Sequence, residues 1–180
     1  MKTLLSTGFA GLLALPMLVH AAGQTPQHAH VHGIAKLDIA VEANTLTLQL
    51  EAPLDNFLGF ERAPRTDAER QQADAAVAKL RAADKLFRID PAAGCTLKSV
   101  ALSSSALKLG QPDPAEEQAG HADLDGSFEF ACKDAAKASY LDVGLFDFKP
   151  TQQLQVQVAT PAGQFKRDLK RPALRISLVK

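Results

Sequence analysis

The sequence predicts an α+β fold: a mostly antiparallel β-sheet with one main α-helix, in a single domain closed by one disulfide. Short stretches in which apolar and polar residues alternate recur along most of the chain, which is typical of half-buried strands. Residues 67–87 instead place apolar side chains at helical spacing. Two cysteines, Cys95 and Cys132, stand at the ends of two predicted strands. Many short strands with one helix favour the α+β class.

Residues 1–21 have the features of a secretory signal peptide. Lys2 gives a positive start, residues 4–19 are apolar, and Val19 and Ala21 supply small residues at positions −3 and −1 of a cleavage site. The apolar run of about 16 residues is shorter than the roughly 20 that a membrane span needs. We therefore expect cleavage after residue 21 or 22, export to the periplasm, and no membrane insertion of the mature chain.

The mature chain is expected to be nearly neutral. The full sequence has 20 basic and 20 acidic residues, and losing Lys2 leaves 19 basic residues, a net charge of −1. This balance gives no electrostatic attraction for nucleic acid or an anionic membrane surface. We expect a flexible N-terminal segment at residues 22–29 and a single domain at residues 30–180.

The first elements of that domain are predicted to be a β-hairpin. Residues 31–41 alternate, with His30, His32 and Lys36 on the polar face. Ala43-Asn44 is a turn sequence, and leucines at every second position from residue 46 to residue 50 predict the partner strand.

The helix is predicted from its start. Thr66 and Glu69 fit a capping box, in which each side chain satisfies a free backbone N–H of the first turn. The helical spacing that follows predicts one helix over residues 67–87.

The remaining residues are predicted to form strands and one long loop. Strands are expected at residues 95–102, 127–132, 154–158 and within 165–178, with a strand followed by a turn at 140–148. Residues 110–126 are polar and acidic and are predicted to be a loop, which at this length is functional or disordered.

Cys95 and Cys132 are predicted to form a disulfide. An even pair of cysteines in an exported protein is most simply a structural bond, and closing this loop stabilises the fold by about 4 kcal/mol in the chain-entropy model. A metal site built on cysteine would need a closer spacing such as CxxC, which the sequence lacks.

Three of the four histidines of the mature chain, His28, His30 and His32, occupy alternate positions. On a strand such side chains point the same way, about 6.6 Å apart, so their imidazoles can converge on one metal ion. The alternative is a solvated strand end with no ligand.

Zinc is the expected metal. Imidazoles suit zinc, copper(II) and nickel, whereas copper(I) prefers thioethers and thiolates, and the mature chain has no methionine. Availability favours zinc, although raw affinity would favour copper(II). His121, among the carboxylates of the acidic loop, is a candidate further ligand, and a solvated charged loop is the alternative. Arg62 and Arg65 are a candidate anion site, again against a solvated loop.

An enzyme is not expected. The sequence has no GxSxG, HExxH or phosphate-binding glycine loop. A histidine group close to the mature N-terminus also gives no indication of the enclosed pocket that catalysis by a bound zinc needs.

Four parts of the chain resemble the ZrgA-type periplasmic zinc uptake proteins. They are residues 30–37 (HVHGIAKL), residues 59–66 (GFERAPRT), the pair Cys95 and Cys132, and residues 141–146 (LDVGLF). The resemblance implies a periplasmic zinc-binding protein that assists an ATP-driven (ABC) zinc importer. Members often carry a histidine-rich run between the cysteines, where this chain has His121, and a histidine where it has Arg62. The alternative function is a metal-free periplasmic interaction module whose surface histidines are incidental.

Overall fold

A computed structural model describes residues 31–111 and 122–180. The predicted signal peptide, the segment 22–29 and residues 112–121 of the acidic loop lie outside these ranges. So do three of the four predicted metal ligands, His28, His30 and His121, and the predictions about them stay predictions.

The described residues form nine strands, three α-helices and three short 3-10 helices. The strands are β1 (Ile34–Val41), β2 (Thr45–Pro53), β3 (Phe87–Ile89), β4 (Thr96–Ser103), β5 (Asp123–Ala131), β6 (Tyr140–Val143), β7 (Gln153–Thr160), β8 (Gly163–Lys170) and β9 (Arg175–Ser177). The α-helices are α1 (Asp55–Leu58), α2 (Asp67–Arg81) and α3 (Ala83–Leu86). The 3-10 helices are Pro91–Ala93, Ala135–Lys137 and Leu145–Asp147.

Six of the strands form one mixed sheet in the order β4-β5-β2-β1-β7-β8. Every neighbouring pair is antiparallel except β1 and β7, which run parallel. A second, three-stranded antiparallel sheet has the order β3-β6-β9. The predicted class is confirmed: α+β, mostly antiparallel, with one main helix.

The large sheet buries one face and exposes the other. Side chains at alternate positions of β1, such as Leu37 and Ile39, are at most 6% exposed, whereas the intervening ones are half-buried or, like Asp38, exposed. The leucines of β2 and alternate residues of β5 and β7 are buried in the same way. Period-two alternation places these apolar side chains on a single face, where their burial drives folding.

The main helix is shorter than predicted. It begins as expected at Asp67, with the backbone N–H of Glu69 donating to Thr66 Oγ1 at 3.2 Å, but it ends at Arg81 rather than at residue 87. Ala82 leaves helical geometry, and Phe87 starts β3. There Phe87 is 1% exposed and its ring centroid lies 4.9 Å from that of Phe128, so tertiary packing overrides the helical spacing of the sequence.

Two predicted boundaries are wrong. The first strand begins at Ile34 rather than at residue 31, because Gly33 has a φ of 80° and the N–H of Ile34 donates to Val31 O across a tight turn. The acidic loop ends sooner than residue 126, since Asp123 and Asp125 belong to β5, opposite Pro53 and Glu51 of β2.

The disulfide is confirmed. Cys95 precedes β4 and Cys132 follows β5, and the two sulfurs are bonded at 2.06 Å. Because β4 and β5 are antiparallel neighbours, the bond joins the start of one edge strand to the end of the next strand. Both thiols are used, so neither cysteine is a metal ligand.

Among the residues the structure describes, no helix combines the length and the apolar character needed to cross a bilayer.

Candidate metal site

Three side chains of the described residues form a histidine–carboxylate cluster: His32, Asp55 and Glu61. Each comes from a different local structure. His32 lies in the turn before β1, Asp55 is the first residue of α1, and Glu61 lies in the loop between α1 and α2. One potential ligand atom from each residue lies within 4.8 Å of the other two.

The β1–β2 hairpin brings His32 and Asp55 together. Glu42 donates its N–H to Thr45 O, so Ala43-Asn44 is a two-residue turn, and the resulting register pairs Lys36 with Glu51. Beyond the strand ends the two segments stay close, because the N–H of Gly33 donates to Asn56 Oδ1 at 2.7 Å. The hairpin therefore positions the imidazole against the first turn of α1.

The backbone at Gly33 sets the direction of His32. Its φ of 80° is in the left-handed region, which glycine adopts without the steric cost that a side chain adds. A Cβ at this position would also lie 3.3 Å from the carbonyl oxygen of Pro150. The chain turns here, so His32 leaves the strand direction and reaches the carboxylates.

The imidazole of His32 lies between the two carboxylates. Its Nδ1 is 3.3 Å from Asp55 Oδ2, and its Nε2 is 2.9 Å from Glu61 Oε1. The histidine side chain is 64% exposed, whereas those of Asp55 and Glu61 are 16% and 17% exposed. A neutral imidazole carries one N–H, so only one of these contacts can be a hydrogen bond, and the other nitrogen presents its lone pair.

Asp55 is held in a costly state as a free carboxylate. Burial raises its pKa, the neighbouring Glu61 raises it further, and His32 opposes both effects. Its Oδ1 is buried and accepts no hydrogen bond from the described residues. A cation bound at the cluster would compensate this charge.

The donor set fits a zinc ion. Zinc binds histidine nitrogen and carboxylate oxygen at about 2.0–2.2 Å, usually with four ligands, so neighbouring ligand atoms of a tetrahedral site lie about 3.3 Å apart. An ion binds one nitrogen of a given imidazole, and the 3.3 Å separation of His32 Nδ1 and Asp55 Oδ2 has this value. One nitrogen of His32 can bind the ion while the other donates its N–H to a carboxylate, a common arrangement at metal-bound histidines.

The loop that carries Glu61 is held in place through the next residue, Arg62. Both terminal guanidinium nitrogens of Arg62 donate to the carboxylate of Glu69 at 2.8 Å, and the guanidinium lies over the ring of Phe60. Glu69 also accepts the N–H of Arg65 at 2.6 Å. These hydrogen bonds, that of Arg62 above all, lower the pKa of Glu69 to about 2. The loop that carries Glu61 is thereby tied to the first turn of α2.

This ion pair also answers the question of an anion site. The guanidinium of Arg62 is hydrogen-bonded to the carboxylate of Glu69, which argues against the candidate anion site at Arg62 and Arg65. The same contact favours a structural role for Arg62. Arg62 has no lone pair for a metal, and its charge is directed toward Glu69.

Of the histidines predicted as ligands, the structure places His32 at the cluster; the others lie outside the described residues. Asp55 and Glu61 were missed as ligands by the sequence analysis. The turn sequence Ala43-Asn44 could have indicated Asp55, because a two-residue turn sets the register of β1 and β2 and so brings the residues that follow β2 near those that precede β1. No comparable local pattern marks Glu61, which a loop brings into place.

An α+β domain with an open site of one imidazole and two carboxylates defines a candidate divalent-metal-binding protein. The chain belongs to the ZrgA family of zinc uptake proteins, whose family model matches residues 29–178. The matched range includes His30 and all three residues of the cluster, and it confirms the resemblance seen in the sequence motifs. A search of curated proteins found no match.

Proposed function

We propose that this chain is a periplasmic zinc-binding protein that assists zinc uptake by an ATP-driven importer, and that it binds zinc at the histidine–carboxylate cluster. The observation that carries the proposal is the position of the His32 imidazole, 3.3 Å from Asp55 and 2.9 Å from Glu61. In a family of zinc uptake proteins, a histidine beside a carboxylate that has one buried oxygen without a hydrogen bond from the described residues is a donor set that suits a zinc ion.

The ligand types favour zinc over copper(I), calcium and magnesium. One nitrogen and two oxygens do not suit copper(I), which prefers sulfur, and both cysteines are in the disulfide. Calcium and magnesium prefer oxygen ligands throughout. We propose His28 and His30 as additional ligands from the segment that precedes the cluster, and His121 as a weaker one.

The proposed role is binding rather than catalysis. The imidazole of His32 is 64% exposed, whereas a catalytic metal needs a pocket that encloses the substrate and excludes water. A surface depression of about 300 Å³ lies elsewhere, on the outer face of the large sheet beside Gln49, Gln157 and Lys166. An exposed ion suits a protein that must release it to a partner.

Calorimetric titration of the chain with zinc tests the binding site. We expect binding of the parent protein, with affinity at least about 100-fold lower for His32→Ala, since the two carboxylates left behind hold zinc weakly. Glu129→Gln is the control, because Glu129 lies on β5 in an ion pair with Lys98 and outside the cluster. An affinity for zinc weaker than about 100 μM in the parent would favour the alternative function, a metal-free periplasmic interaction module.

Fractionation and growth assays test the location and the partner. The protein recovered from the periplasm should begin at Ala22 or Gly23 by intact mass. Cells that lack it should grow poorly when zinc is chelated, and cells that lack the importer should gain nothing from its overproduction. A cytoplasmic protein that retains Met1 would contradict the proposed location.

A further inference from the structure

The side chain of Asn56 joins the two segments that carry His32 and Asp55. Asn56 is 0% exposed. Its Oδ1 accepts the N–H of Gly33 at 2.7 Å, and its Nδ2 donates to the carbonyl oxygen of Ile34 at 2.9 Å. One amide thus bonds to the backbone on both sides of the Gly33–Ile34 peptide.

The position of these bonds in the chain matters for the cluster. His32 immediately precedes Gly33, and Asp55 immediately precedes Asn56. A bond between residues 33 and 56 therefore fixes the separation of the two backbone positions from which the His32 and Asp55 side chains start. Two backbone bonds at short distance make this connection directional, which a packing contact alone would not be.

A second set of hydrogen bonds, from the residues around the start of β7, holds the backbone of Asn56 and Gly33. Thr151, 1% exposed, donates its hydroxyl to the carbonyl oxygen of Asn56 at 3.1 Å. Arg171 Nε donates to Thr151 O at 2.9 Å, and the N–H groups of Gln152 and Gln153 donate to Gly33 O at 2.7 and 3.0 Å. The start of β7 thus braces the turn that carries His32.

We propose that Asn56, supported by Thr151, is a positioning residue for zinc: it holds His32 within reach of Asp55 and Glu61 before the ion arrives. The inference rests on the proposed zinc function of the cluster. His32 lies in a turn and is largely exposed, so without this restraint its backbone would sample positions that part the ligands. The free energy of zinc binding would then include the cost of bringing the three ligand side chains back together, and a preformed site avoids this cost.

The test compares zinc affinity, measured by competition with a chromophoric chelator, with the thermal unfolding midpoint of each full-length variant. Asn56→Ala should weaken zinc binding about tenfold or more, in the range found for residues that support metal ligands. It should also change the visible absorption of bound Co²⁺, which reports coordination geometry. Val158→Ala is the control, because it creates a cavity in the core at the far end of β7. It should lower the unfolding midpoint and leave zinc affinity and the Co²⁺ spectrum unchanged.

A second pair of variants decides the matter if Asn56→Ala does not fold. Thr151→Val keeps the shape of the side chain but removes the hydroxyl that holds Asn56, and should weaken zinc binding. Thr151→Ser keeps the hydroxyl and should bind zinc with the parent's affinity. A folded Asn56→Ala or Thr151→Val protein that binds zinc as the parent does would overturn the inference. If the parent itself binds no zinc, the proposed function fails; if His32→Ala loses zinc and the Asn56 and Thr151 variants keep it, the positioning role alone fails.

Discussion

His32 Nε2 lies 2.9 Å from Glu61 Oε1, although both residues belong to loops rather than to strands or helices. On the other side of the same ring, Nδ1 lies 3.3 Å from Asp55 Oδ2. A ring with one N–H must turn a lone pair toward one of these carboxylates, and that contact is favourable only if a proton or a metal ion lies between them. Protons and zinc therefore compete for the cluster.

The first prediction is that zinc affinity falls as the pH falls below about 6. An imidazole must lose its proton to bind zinc, and the raised pKa of Asp55 means that its carboxylate keeps a proton to a higher pH than an ordinary aspartate does. Zinc binding should also release protons in this range. Titration in two buffers with different ionisation enthalpies measures both effects. Affinity that is constant between pH 5 and 7.5 would show that no histidine binds the ion.

The sequence predicted the fold better than it predicted the site. Strict period-two alternation around Leu37 and Leu48 identifies strands that bury one face, and the capping residues Thr66 and Glu69 identify a helix start, because both patterns depend on neighbours in the chain. The end of that helix was predicted wrongly. Phe87 takes its position from packing against Phe128, a residue far from it in the sequence, so no local pattern indicates the contact.

The site was missed for a similar reason. His32 was found because its neighbours His28 and His30 make it conspicuous, but its partners come from residues 55 and 61. Hairpin register brings Asp55 close, and this was derivable from the turn at Ala43-Asn44. Glu61 depends on a loop held by the Arg62–Glu69 ion pair, which local patterns do not report.

The second prediction separates the roles of the two carboxylates. Asp55→Asn should weaken zinc binding more than Glu61→Gln does. The 3.3 Å contact of His32 Nδ1 with Asp55 matches a ligand-to-ligand distance, whereas the 2.9 Å contact of His32 Nε2 with Glu61 has hydrogen-bond length. Calorimetric titration of both variants measures the difference.

Thermal unfolding supplies the control for these two variants. Burial disfavours the charged form of Asp55, so Asp55→Asn should leave the metal-free protein as stable as the parent or more stable. A lower unfolding midpoint for Asp55→Asn would mean that its loss of zinc reflects a damaged fold. A larger affinity loss for Glu61→Gln would reverse the assigned roles.

The third prediction concerns stability in acid. The pKa of Glu69 is about 2 in the folded chain, below its ordinary value, so its stabilising effect is complete above about pH 4.5 and is lost as the pH falls toward 2. Glu69→Gln should therefore lower the unfolding midpoint at pH 7 and flatten its decline between pH 4.5 and 2. Asp67→Asn, in the same first turn of α2 and with an 89% exposed carboxylate, is the control and should keep the parent's pH profile. Identical profiles for the parent and Glu69→Gln would exclude the ion pair as a source of stability.

The fourth prediction concerns the disulfide. Its cysteines are 37 positions apart, so opening the bond should lower the free energy of unfolding by about 2–5 kcal/mol. Denaturant titration of the Cys95→Ser/Cys132→Ser double variant measures this loss. Its zinc affinity should match the parent's, because the bond joins β4 to β5 and the cluster uses neither strand. Free thiols at both positions in protein taken from the periplasm would contradict the predicted role.

The last prediction divides zinc binding among the histidines. His30→Ala/His32→Ala should lower zinc affinity at least about 100-fold, and we expect most of the loss already in His32→Ala, because the structure places His32 beside Asp55 and Glu61. Stability of the metal-free protein should change by less than about 0.5 kcal/mol, as is usual for exposed side chains. His28→Ala/His30→Ala should have a smaller effect that adds to that of His32→Ala, and His121→Ala a smaller one still, since carboxylates near it can replace it. Calorimetric titration of the five proteins at one pH gives these values. If the double variant that lacks His30 and His32 binds zinc as the parent does, the ion lies elsewhere and the cluster is an ordinary hydrogen-bonded surface group.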